Sequence, residues 1–172
     1  MRVWIEESVT LAIASRAAAS APSEAGGVLA GWTDGDDIVI AFATVGGPKA
    51  VATPTSYYPD HEWQERELER AFCRSDGDLT YMGDWHSHPS GPSQLSRTDV
   101  STLRAIVGVR PEGCMLLCAP ANADWGVSAW RLERGFLGFA RAVRTNVVPF
   151  TAPGDWPNFP CSVGDRTSRQ IF

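Results

Sequence analysis

A β-rich run, LTYMGDWHSH, stops at Pro89, and six residues further on the chain reads SRTDV, residues 96–100. That order dictates a local architecture: a strand ending at the proline, a short loop SGPSQL, and a helix beginning near Ser96. Side chains two apart on a strand share a face. His86 and His88, two of only three histidines, therefore stand side by side at the strand end, while Trp85 points to the opposite face. Ser96 has the chemistry of an N-cap, its side-chain oxygen accepting a backbone N–H of the first turn. Asp99, the third residue after it, holds a capping-box position, so its carboxylate lies in that same turn.

Two imidazoles at this spacing suit a borderline-soft divalent metal, zinc being the commonest, with Zn–N bonds of about 2.0–2.1 Å. Once the fold brings Asp99 over the strand end, His86, His88 and Asp99 make a three-ligand set. Three protein ligands leave a fourth position for water, which marks a catalytic rather than a structural zinc. Zinc brings the pKa of a coordinated water to about 7 and so supplies a nucleophile at neutral pH. Hydrolysis also needs a base that takes the proton and passes it to the leaving group. Glu24, just before the apolar run GGVLAGW, is the carboxylate placed to act from a neighbouring strand. Taken singly, each residue has a plainer reading: a structural histidine, a helix cap, a loop charge. Their joint spacing carries the chemistry. Two other zinc chemistries fail on detail. HEWQE has Glu65 where a zincin needs its second histidine, and the chain lacks the HxE and PCxxC of a nucleobase deaminase.

The rest of the chain supplies a scaffold. RVWI is a short strand, and in SVTLAIASRAAAS the residues Val9, Ile13 and Ala17 recur on one helical face until Pro22. GGVLAGW, residues 26–32, and DIVIAFATV, residues 37–45, read as a hairpin across the turn TDGDD. Residues 46–60 are rich in Gly, Pro and Thr and read as a long loop. In DHEWQERELERAFC, Trp63, Leu68 and Phe72 space an amphipathic helix, with Glu62 and Arg66 as an i,i+4 pair. After the capped helix come strands at GCMLLCA, GVSAWRLE and FLGFARAVRT. Cys114 and Cys118 share a face of the first of these and read as core. Helices between hydrophobic strands make this α/β or α+β, one sheet with helices packed against it. Residues 1–148 read as one domain. Residues 149–172 read as a loop-like tail whose Trp156, Phe159 and Phe172 give it the means to pack on that domain.

Composition excludes several classes. A chain of 172 residues builds one domain with a real core. Its net charge is −5, with both signs interspersed, so no basic stripe offers itself to nucleic acid. Four cysteines without a CxxC do not make a secreted disulfide framework. Glu6 and Glu7 stand where a signal peptide needs basic residues, and no run of about 18 apolar residues exists to span a membrane. A cytoplasmic protein is expected. Lys49 is the only lysine, which fits either a GC-rich coding bias or avoidance of lysine-directed modification.

HSHP, six residues, then S-x-x-D resembles the signature of the JAMM (MPN-plus) metalloproteases, and EAGGVLAG is similar to their upstream glutamate strand. The resemblance runs from about Pro22 to Ala119 and more loosely to about Thr145. It implies a cytidine-deaminase-like α/β (α+β) fold with one mixed, mostly antiparallel sheet. It implies His86, His88 and Asp99 as ligands of one Zn²⁺ and Glu24 as the base. It also implies that Ser96 stabilises the oxyanion. The loop at 46–60 and GDWHSHP are similar to a bacterial branch found in ubiquitin-like conjugation and CBASS anti-phage operons beside E1- and E2-like enzymes. Those relatives cleave a modifier's C-terminal tail from a lysine or a peptide bond, so a ubiquitin-like partner is expected. A JAMM hydrolase acting on sulfur-carrier-protein adducts, or a metal-retaining module that only binds a partner, would use the same residues.

Overall fold

The computed structural model describes residues 1–134 and 140–153. β1 (Val3–Glu6) runs directly into α1 (Glu7–Ser20), whose start is capped by the Glu6 carboxylate accepting from the Ser8 and Val9 amides. Val9, Ile13 and Ala17 are the buried face of α1, as their spacing predicts. β2 (Gly26–Asp34) and β3 (Asp37–Ala43) form the expected hairpin, and β6 (Thr80–Ser87) carries His86 near its end, with His88 the first residue beyond it. Between them lies α2 (His61–Arg74). After β6 come α3 (Arg97–Val109), β7 (Cys114–Ala121), β8 (Asp124–Arg134), β9 (Ala140–Thr145) and β10 (Val147–Phe150).

These strands join in one mixed sheet of order β10-β1-β3-β2-β6-β7-β8-β9. Four of its pairings are antiparallel and three parallel, β1 with β10, β1 with β3, and β6 with β7. Helix α1 packs on β1, β3, β7 and β8, over a core of Ile5, Ile13, Leu29, Ile40 and Leu116 that also takes in Cys114 and Cys118. On the opposite face α2 packs on β2 and β6, and α3 on β6, β7 and β8. Trp85 belongs to the α1-side core, is 1% exposed, and donates its ring N–H to the Thr44 carbonyl at 2.7 Å. Truncating a tryptophan so placed costs about 3–5 kcal/mol.

Three expectations are corrected. Residues 46–60 are not all loop: β4 (Val51–Thr53) and β5 (Ser56–Tyr58) pair as a separate two-stranded ribbon. All of β4 is exposed, so the ribbon buries no alternating face and leaves no hydrophobic period to read. The tail does not begin as loop at Pro149, because β10 runs through it to Phe150 beside β1. A proline is compatible with that place, at the sheet edge. The buried face of α2 is set by Gln64 and Ala71 with Leu68 packed beside them, while Phe72 is 46% exposed and Glu62 pairs with Lys49 rather than Arg66. A polar Gln64 masks the true face from a hydrophobic pattern. Trp156, Phe159 and Phe172 lie outside the described residues.

Candidate metal centre

The end of β6 is shaped by a bulge. Leu29 of β2 pairs with Gly83 and Ala30 pairs with Tyr81, so Met82 is an extra residue. Gly83 takes φ +141°, and a Cβ there would stand 1.8 Å from the Cys114 carbonyl oxygen. The extra residue sends Met82 and Trp85 into the α1-side core, while Tyr81 packs with the α3-side cluster and bonds Asp84. Beyond the bulge the strand alternates regularly, so Asp84, His86 and His88 follow one another on the α3 side.

Asp99 reaches them from α3. Asp99, Leu103 and Ile106 are its three buried residues, spaced i, i+4 and i+7. Leu103 and Ile106 pack with Met115 of β7, which seats the helix and leaves its first turn over the end of β6. The capping box is complete. The Ser96 hydroxyl accepts from the Asp99 amide at 3.2 Å, and Asp99 Oδ2 accepts from the Ser96 amide at 2.6 Å.

The three side chains then converge. His86 Nε2 and His88 Nε2 are 3.1 Å apart, and Asp99 turns Oδ1 to the first at 3.2 Å and Oδ2 to the second at 3.4 Å. Ligand atoms around a tetrahedral ion with bonds of about 2.0–2.1 Å lie about 3.3 Å apart, so the residues fit a metal ion. His88 Nδ1 lies 3.0 Å from the Pro92 carbonyl, which can only accept. That bond holds the proton on Nδ1 and leaves Nε2 as the lone-pair donor.

Glu24 is fixed beside this group by backbone. The Ala25 amide donates to Ser87 Oγ and the Ser87 amide to the Ala25 carbonyl, both at 2.8 Å, and Gly26 pairs with His86. The Glu24 amide in turn donates to the Thr53 carbonyl of β4 at 2.8 Å. A Cβ on Gly26 would stand 2.6 Å from the Tyr57 ring, so the glycine lets the β4–β5 ribbon lie against β2. Glu24, His86 and Asp99 line one cavity of about 470 Å³, which continues past Asp84, Tyr57 and Gln64.

Charge follows geometry. Burial pushes the Glu24 carboxyl above its ordinary value, against the pull of His86 and His88 and with the Asp99 charge adding to the rise. Burial would raise Asp99 too, but its bonds from His86 and His88 win and hold it well below the carboxylate range. The bond to Asp99 raises His88. Burial pushes Asp84 up against the hydrogen bond from Tyr81, and pushes the Tyr57 hydroxyl up to about 12. The Cys114 and Cys118 thiols, both pushed up to about 12 by burial, are inert core.

Of the residues singled out by spacing, the fold brings His86, Asp99 and Glu24 to one cavity, holds His88 against His86 and Asp99, and sets Ser96 at the exposed cap of α3. Spacing passed over Ser87, which ties the Glu24 segment to β6, and Asp84, which the same period-2 count places in line with the histidines.

Residues 6–133 match a family described as prokaryotic homologs of the JAB domain. The chain belongs to this bacterial JAMM/MPN family. A relative from Sinorhizobium fredii (strain NBRC 101917 / NGR234), named probable metalloprotease y4qB, is 36% identical over 151 residues, covering 83% of this chain and 92% of the relative. A protein named CD-NTase/cGAS isopeptidase from Escherichia coli (strain TW11681) is 29% identical over 90 residues, spanning 52% of this chain and 58% of that one. The JAB fold is matched by the solution structure of protein DSY2949 from Desulfitobacterium hafniense, at a TM-score of 0.63 and 17% identity, over 87% of this chain and 94% of the other. That likeness is one of fold alone. No helix among the described residues is long and apolar enough to cross a membrane.

Proposed function

We propose that this JAB-domain protein is a zinc-dependent isopeptidase or peptidase. Its substrate is a ubiquitin-like modifier, cut from a target lysine or from a C-terminal extension, in the cytoplasm of a bacterium with an anti-phage conjugation system. The convergence of His86, His88 and Asp99 at tetrahedral spacing beside Glu24 carries this reading. The name of the Escherichia coli isopeptidase supports the substrate class.

His86, His88 and Asp99 hold the ion, and the Pro92 carbonyl keeps His88 in the ligand tautomer. Zinc held there supplies Lewis acidity, which polarises the scissile carbonyl and brings the water pKa to about 7. Glu24, its carboxyl raised by burial, takes the water proton and hands it to the departing amine. Ser96 keeps its own proton while its oxygen accepts from the Asp99 amide, so it can donate to the oxyanion. An extended tail of small residues lies along a sheet edge as an added strand. E1- and E2-like proteins encoded nearby supply the conjugates.

The test is single-turnover cleavage of a neighbouring ubiquitin-like protein fused to a reporter, with zinc measured by elemental analysis. We expect near-stoichiometric zinc and cleavage in the natural chain, and neither in a His88→Ala, Asp99→Ala double variant. Undiminished metal in that variant would falsify the ligand assignment. Full zinc with no cleavage of any modifier fusion would reduce the protein to a metal-retaining binding module.

A further inference from the structure

The cavity that holds the metal centre continues away from it, and its far wall is polar. Asp84 stands two residues before His86 on β6, about 7 Å back along the strand. Its one hydrogen bond among the described residues is from the Tyr81 hydroxyl, at 2.9 Å. Gln64, on the first turn of α2, is 5% exposed, and its Nε2 has no hydrogen-bond partner among the described residues. The Tyr57 hydroxyl oxygen is buried in the same condition. All three line the cavity, whose volume of about 470 Å³ falls within the ~300–1,000 Å³ of ordinary ligand pockets.

Buried polar atoms without partners are rare in native proteins, and several around one cavity point to a ligand that completes them. An apolar occupant would leave all of them unpaired. An anionic one would face Asp84, Glu24 and Asp99 together. With a dication balanced by Asp99 and Glu24, Asp84 is the carboxylate outside that balance, and it faces only the imidazoles of His86 and His61. A carboxylate and a phenol both offer oxygens to a donor, and the Gln64 amide does the same once turned about its last torsion. Ammonium and guanidinium groups carry only donors.

We propose that this extension is a subsite for a lysine or arginine side chain of the substrate, flanking the bond that is cut, with Asp84 as its counter-ion and Gln64 and Tyr57 as its polar walls. It rests on the proposed hydrolase reading for its place beside the scissile bond, but not for its ability to bind a cation. Selection at this subsite would favour a modifier or target with a basic residue close to the junction.

The zinc-loaded full chain, labelled with ¹⁵N, is titrated with the N-acetyl N-methylamides of arginine, norleucine and glutamate. We expect the arginine probe to shift the Gln64 side-chain amide signal and to bind about tenfold more tightly than the norleucine probe, the worth of one charged hydrogen bond. The glutamate probe binds no better than norleucine. Asp84→Asn should bring arginine and norleucine within about twofold of each other, and Gln64→Met should weaken arginine by a smaller factor. Equal affinity for arginine and norleucine in the natural chain overturns the subsite, and so does an unmoved Gln64 signal at arginine saturation. Should Asp84→Asn not fold, the Gln64 shift and the natural chain's selectivity still decide. A protein that selects arginine yet cleaves no modifier fusion would refute the hydrolase reading and leave the cation subsite standing.

Discussion

Glu24 lines the cavity while Ser96 is bonded to Asp99, and substitution separates what they do. Glu24 faces the cavity without belonging to the converging triad. Glu24→Gln is therefore expected to keep fold and zinc while losing about 10²–10⁴-fold in single-turnover rate, the range for a general base. Natural rate in a fully metallated Glu24→Gln would place the base elsewhere. Ser96 caps α3, and the proposed oxyanion role adds a second that substitution can tell apart. Losing an N-cap lowers stability by about 1 kcal/mol, whereas losing an oxyanion donor slows turnover about 10²–10³-fold. We expect Ser96→Ala to be slightly less stable, zinc-bound and slow, as read by thermal midpoint, elemental analysis and rate. A variant that melts early but turns over normally per folded molecule leaves Ser96 as a cap alone. At this scale much was legible in the sequence. The histidines, Ser96 and Asp99 sit on one strand end and one helix start, so their relations are local. Glu24 was marked by its place before an apolar strand, but the two Ser87–Ala25 hydrogen bonds, one to the Ser87 hydroxyl and one between backbones, explain why it ends beside His86.

Elements were legible where they bury a face and illegible where they do not. Helix α1 announced itself through Val9, Ile13 and Ala17, and β2 and β3 through unbroken apolar runs. The β4–β5 ribbon gave no such signal because its first strand is exposed along its length. The face of α2 is hard to read because a polar residue, Gln64, is buried and lines a cavity. The bulge at Met82 was invisible too, since it depends on how β2 registers against β6. The ribbon nonetheless reaches the proposed base: its Thr53 carbonyl holds the Glu24 amide. Replacing residues 51–58 by a short Gly-Ser link should leave zinc in place, because the proposed ligands sit on β6, just past its end, and on α3. Cleavage should fall by about 10²-fold, the effect of displacing a reacting group by roughly an ångström. An undiminished rate, measured against the same zinc content, would show that the ribbon plays no part in placing the base.

For the molecule as a whole, the metal centre sets how stability depends on pH. In chelated protein the raised pKa of His88 contributes stability that is complete below its ordinary 6.5 and is lost as pH rises through the folded value. The lowered pKa of Asp99 contributes stability present above 3.8 and lost only as pH falls through its folded value. Both act together between about pH 4 and 6.5, so the chelated chain should melt at a lower temperature at about pH 8 than at about pH 6. Zinc competes with the proton for His88, so the stabilisation it adds should grow over that same rise. A chelated midpoint that climbs between the two pH values would remove the His88–Asp99 pair as the cause. The scarcity of lysine is a second whole-chain property. Lys49 is exposed and its ammonium pairs with Glu62, while Arg66 and Arg70 are exposed on α2. Arg66→Lys and Arg70→Lys keep charge and helix propensity, so the fold should tolerate them. If the chain avoids modification, these changes in a Glu24→Gln background, co-expressed with the conjugating enzymes, should collect modifier at the new lysines. Intact-mass spectrometry showing equal adducts with and without the new lysines returns the composition to coding bias.

The capping box gives α3 and the metal centre a common fate. Asp99 holds the Ser96 amide with an oxygen that also faces His88, so winding the first turn and assembling the ligands are one event. Frayed forms of the helix cannot capture an ion, and captured ions deplete the frayed forms by the same factor. With the proposed ion bound there, metal supply in the cell would become a folding variable: a chelator would act on this chain as an unwinding agent, and metal scarcity would expose the start of α3 as it silenced the site.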